Sequence, residues 1–139
     1  VAAYNKINQF VQDLANKVHN LGADGLTIAL TTMANKPVAT NTVLANLTQI
    51  SYTNLSSRAL TTSSSSQTSG TYKLILADLV LTASGTVAAF GAVTLYNDTP
   101  TSPADPLISW WEYGSDVTLN NTETFTLDFD NTNGVLQLA

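Results

Sequence analysis

The chain has no cysteine, which excludes disulfides, thiolate metal sites and a thiol nucleophile. It has one histidine, His19, so a metal centre built on two or three histidines of one chain is excluded as well. Charge is scarce. Asp, Glu, Lys and Arg make up 11% of the 139 residues, against about 25% in average globular domains. The longest apolar run, Leu74 to Leu81, is broken by Asp78 and is far too short to cross a bilayer. Basic residues number five, and none lies beyond Lys73. Nucleic-acid binding wants a basic stripe and membrane-surface binding a basic amphipathic helix. Neither pattern is present, so no nucleic acid and no membrane is expected as a partner.

What the chain has in excess is hydroxyl and amide. Thr (21), Asn (13) and Ser (12) supply a third of it, beside 44% hydrophobic residues. Disordered chains combine low hydrophobicity with high charge, the reverse of this balance. The length suits one domain spanning residues 1–139 that buries about two-thirds of its unfolded surface. A surface of hydroxyls and amides is cheaper to desolvate than one of Lys and Glu, which suits a protein packed against neighbours. Residues 1–73 carry all five bases and two acids, whereas residues 74–139 carry eight acids and no base. That polarity fits head-to-tail contact between copies or docking on a basic partner, and it equally fits a solvated acidic face. Val1 is consistent with removal of an initiator Met, and no signal peptide is expected.

Apolar residues Tyr4, Ile7, Phe10, Val11, Leu14, Val18 and Leu21 recur at helical spacing, predicting an amphipathic helix over 3–21 capped by Gly22. Asn5, Asn8, Gln9, Gln12 and Asn16 fill the opposite face. Ile7, Phe10, Val11, Leu14 and Val18 are expected to dock it on the body. His19 falls near the helix end and is expected as a structural surface residue. From Leu26 the period becomes two, and the β region runs over 26–139. Leu26–Thr31 reads as a strand, Val43–Leu47 as a short helical turn and Tyr52–Leu60 as a further short strand. Thr61–Ser69 is a low-complexity stretch expected to form a surface hairpin loop. Tyr72–Thr82 is expected to turn at Ala83-Ser84-Gly85 into Thr86–Tyr96, with bulges at Asp78 and Gly91. Asn97–Pro106 holds three of the four prolines and reads as a loop. Strands follow at Leu107–Tyr113 and Val117–Leu119, with a turn at Asn120-Asn121. In Thr122–Asp130, Phe125, Leu127 and Phe129 share one face. Asn133-Gly134 is a hairpin signal before Val135–Leu138. The fold class is mainly β, a β-sandwich or jelly roll with one N-terminal amphipathic helix.

Chemistry-bearing residues are few. Acid–base catalysis would have to rest on carboxylates, with Asp128 and Asp130 on one strand face and Glu112, Asp116 and Glu123 as possible neighbours. No nucleophile elbow, phosphate loop or zinc-protease motif occurs, so no catalytic residue and no cofactor is expected. Asp128 to Gly134 superficially resembles an oxygen-ligand loop for calcium. It has Thr132 at the third ligand position, its glycine one place late and no closing glutamate. A turn after a strand explains it better, and no metal is expected. Trp110 and Trp111 are adjacent and point to opposite faces of a strand, so they cannot form one sugar-binding platform. One is expected in the core, the other under the helix or anchoring a protein contact.

The opening Ala3-Tyr4-Asn5-Lys6-Ile7-Asn8-Gln9-Phe10-Val11, continued by Leu14 to Gly22, resembles the start of a group of small tailed-bacteriophage proteins. Ser69 to Leu74, Leu95 to Pro100 and the run from Val117 to Asp130 share the likeness. The resemblance spans essentially the whole chain, and its motifs are structural. It implies a virion component, a head decoration (cement) protein on the outer surface of the head. The partner would be the major capsid protein, with self-association, a trimer for example. A tail, adaptor or fibre-base protein is the alternative. A carbohydrate-binding adhesin would require an exposed aromatic platform.

Overall fold

Two stretches rich in β-branched and apolar residues set the centre of the molecule. Every residue of β2 (Leu26–Thr31) and of β6 (Phe90–Asn97) is buried, and the two pair antiparallel from Leu26↔Asn97 to Thr31↔Ala92. On the other side of β6 lies β7 (Leu107–Val117), and the short β1 (Asn5–Lys6) completes the order β1-β7-β6-β2. The computed structural model, which describes residues 2–139, is mainly β and sandwich-like. Two further antiparallel groups face this sheet. One orders β3 (Thr62–Thr68), β4 (Thr71–Leu76) and β9 (Leu136–Leu138), and the other pairs β5 (Leu79–Thr82) with β8 (Thr124–Leu127). The core has two parts. One gathers Ile7, Phe10, Leu74, Leu95, Ile108 and Trp110, the other Ile28, Leu30, Leu81, Phe90 and Val93. Leu60 and Leu127 pack against both. No helix among the described residues is long and apolar enough to cross a membrane.

The N-terminal helix is shorter than its periodicity predicts. The helix α1 covers Asn8–Ala15 alone. Asn5 and Lys6 are recruited as a strand opposite Trp110 and Ser109, because an open strand edge offers their backbone partners that a first helical turn does not. At the other end Lys17 takes a positive φ of 62°, which turns the chain and lets Val18 N–H bond Asp13 C=O at 2.9 Å. Asn16, not Gly22, is the C-cap. Val11, expected to dock, is 51% exposed, whereas Ile7, Phe10 and Leu21 enter the core.

Thr61–Ser69 is not a loop. Its central seven residues are β3, paired with β4 around a turn at Ser69-Gly70, both at positive φ, as two-residue hairpins of this hand require. A strand whose side chains face solvent needs no apolar alternation, and Ser/Thr composition therefore hides it. Asp78 marks a change of sheet and not a bulge: its carboxylate accepts Phe129 N–H at 2.9 Å, and β5 beyond it pairs with β8. The expected hairpin at Ala83-Ser84-Gly85 does not form, since β5 and β6 lie in different sheets. Likewise Asn133-Gly134 is a turn between sheets, because β9 pairs with β4. The register does shift opposite Gly91, but the extra residues lie on β7, between Glu112 and Val117, where Gly114 has φ +101°; the bulge expected at Gly91 is on the partner strand. The two strands expected at Leu107–Tyr113 and Val117–Leu119 are one strand to Val117. Tyr52–Leu60 makes isolated bridges in place of a strand. It nonetheless guards the outer edge of β2: Ile28 N–H bonds Arg58 C=O and Leu60 N–H bonds Leu26 C=O. The Tyr52 hydroxyl accepts Leu30 N–H at 2.9 Å, and the Arg58 guanidinium stacks on the Tyr52 ring. Covering an edge in this way protects it from pairing with another chain.

Candidate binding groove

Alternation along β7 puts Trp110 and Trp111 on opposite faces, as expected. Trp110 joins the core. Trp111 is half-buried and, with Tyr113 two residues on, turns towards the Phe125–Leu127–Phe129 face of β8 and its continuation. The rings meet edge to face: Trp111–Phe129 at 6.0 Å and Tyr113–Phe125 at 5.4 Å between centroids. Tyr4 closes one end against Trp111 at 5.7 Å. Together they line an open groove of about 580 Å³, with Val93 among its lining residues. Five of the chain's eleven aromatic residues lie on this one feature. Its volume falls within the range of clefts that hold ligands. Tyr113 is 59% exposed and Tyr4 39%, so the groove presents apolar surface to its exterior.

The carboxylates expected near Asp128 and Asp130 divide. Glu112, Asp128 and Asp130 line the groove, but two of them are engaged. Glu112 pairs with Lys36 at 2.9 Å and accepts Trp110 Nε1–H at 3.3 Å; these bonds, the lysine's first, hold its pKa below the usual range. Asp130 accepts Asn133 N–H at 2.7 Å, Asn133 Nδ2–H at 2.9 Å and Thr132 N–H at 2.8 Å, and the Asn133 bonds chiefly depress its pKa. Its carboxylate therefore organises the turn that the residue pattern favours over a calcium loop. Asp116 and Glu123 are elsewhere, accepting Met33 N–H and Asn120 N–H at 2.7 Å each. No group of three or more His, Cys, Asp or Glu among the described residues is placed to hold a metal ion.

His19 is a correction: it is buried, not a surface residue. The turn after Lys17 points it inward beside Phe10, with 5.3 Å between ring centroids. Its Nδ1 lies 3.1 Å from Asn97 Nδ2, which also donates to Asp24. With the amide as donor, Nδ1 is the acceptor and the ring is neutral. Burial lowers its pKa below the ordinary 6.5, against the opposing pull of Asp13 and Asp24. The folded state therefore binds a proton less readily than the unfolded one. The stability this contributes is present above pH 6.5 and is lost as pH falls from there towards the folded value. The melting temperature is expected to drop between pH 7 and 5, and less steeply in His19→Gln. Equal slopes for the two proteins would contradict this.

The groove is a feature that residue patterns alone do not reveal. Its signals lie in the period-two pairs Trp111/Tyr113 and Phe125/Phe129, but the facing of β7 and β8 is a long-range property. No family model matches the chain, and no curated protein or solved structure does either.

Proposed function

We propose that the chain is a structural protein of a tailed-bacteriophage virion, a head decoration protein that clamps the major capsid lattice from outside and performs no catalysis. The observation that carries this reading is the surface. β3 exposes Ser63, Ser65, Ser66, Gln67 and Thr68 as an ordered strand, and a single ion pair joins side chains among the described residues. Such a surface loses little hydration energy when it is packed against a neighbour. The resemblance of the chain to small phage proteins supplies the setting. A protein that binds only the mature lattice stabilises it by mass action. The eight acids of residues 74–139 favour a basic surface on the capsid protein or on the basic half of another copy, as in a trimer.

A tail, adaptor or fibre-base position would use the same surface chemistry and differ in abundance. An adhesin reading finds aromatic residues in the groove, but their rings pack against one another at interplanar angles of 62–74° and form no shared flat platform. Abundance in the particle relative to the major capsid protein is the test.

A further inference from the structure

One strand edge beside the groove is open. β7 is covered by β1 at Ser109 and Trp110, and beyond Glu112 its register slips by a bulge with Gly114 at φ +101°, which spoils that edge as a template. β8 pairs with β5 on one side and has no partner strand on the other. Open edges are templates for an added strand unless lysine, proline, a bulge or a covering segment blocks them. Thr124–Leu127 contains neither lysine nor proline and its register with β5 is unbroken. The groove between β7 and β8 offers apolar anchorage from Trp111, Phe125 and Leu127. It is lined by Glu112, Asp128 and Asp130 and by no basic residue. Lys36 neutralises Glu112, whereas Asp128 has no ion-pair partner among the described residues.

We infer that this groove takes an extended segment of a partner protein as an added strand, with alternate apolar side chains against Trp111, Phe125 and Leu127 and a flanking Lys or Arg beside Asp128 and Asp130. Main-chain bonds to the open edge supply affinity in this mode, and pockets for alternate side chains supply selectivity. A saccharide fits less well, because the rings meet edge to face and form no shared flat platform. The inference does not depend on the virion reading.

The test uses the full chain and a fluorescein-labelled peptide, Lys-Thr-Val-Thr-Val-Thr-Lys, followed by anisotropy. Saturable binding is expected, weakened about tenfold or more when glutamate replaces the flanking lysines and lost when proline replaces the central residue. Hydrogen exchange should slow at Phe125–Leu127. Asp128→Asn should weaken the lysine peptide several-fold while leaving the melting temperature unchanged. No saturable binding up to about 1 mM, or binding indifferent to both proline and flank charge, overturns the proposal. So does quenching of tryptophan fluorescence by soluble oligosaccharides in the absence of peptide binding, which would give the groove to a glycan.

Discussion

Replacing Phe10 by alanine is expected to cost about 3–5 kcal/mol of folding stability, the range for truncating a buried aromatic. Phe10 is 2% exposed and belongs to the core part that also holds Ile7, Leu21 and Trp110. It is the one apolar residue of α1 that is fully buried. A helix of eight residues has little stability of its own, so this side chain largely decides whether the segment stays on the sheet. Its loss would also uncover His19, whose ring rests on it. Val11→Ala is the internal control: at 51% exposure it should change stability by no more than about 0.5 kcal/mol. Urea unfolding of both variants checks the pair. A Phe10→Ala loss below about 1 kcal/mol would mean that α1 packs on something outside the core of this chain.

Gly134→Ala is expected to be the most damaging single-methyl addition. Gly134 has φ +82°, and a Cβ there would lie 2.5 Å from the Leu74 carbonyl oxygen. The backbone conformation alone costs a non-glycine residue about 1–3 kcal/mol, and overlap with a fixed carbonyl adds to it. That carbonyl also accepts Val135 N–H at 2.8 Å, so a shift would disturb the entry to β9. Gly70 offers the comparison. Its φ is +84°, and an added methyl would meet nothing within 4 Å, so Gly70→Ala should show only the conformational cost of about 1–2 kcal/mol. Denaturation midpoints separate the two effects, and equal losses would remove the close-approach explanation. Gly134 lines the groove as well, so its substitution should also weaken peptide binding there.

Local order is legible in the sequence and pairing is not. The alternation of Phe125, Leu127 and Phe129 against Thr124, Thr126 and Asp128 specifies both the strand and its inward face. The opposed tryptophans are equally readable, because they depend on two neighbouring residues alone. β3 escapes such a reading because hydroxyl-rich strands carry no apolar period. The helix comes out too long because Tyr4, Ile7 and Leu21 satisfy helical spacing while entering their sites from a strand or a turn. His19 is misplaced for the same reason. The partners of β5 and β9 depend on where Asp78 and Asn133-Gly134 redirect the chain, which is settled by the packing of distant segments. The groove exists because β7 faces β8, and no local pattern encodes that meeting of distant segments.

Counting copies per particle decides the virion assignment. Quantitative mass spectrometry of purified phage heads and tails would give the ratio of this chain to the major capsid protein. A head decoration protein is expected in numbers comparable to the capsid protein and in the head fraction. A few copies per particle, confined to the tail or the neck, would contradict the decoration reading, and absence from the particle would contradict the virion role altogether.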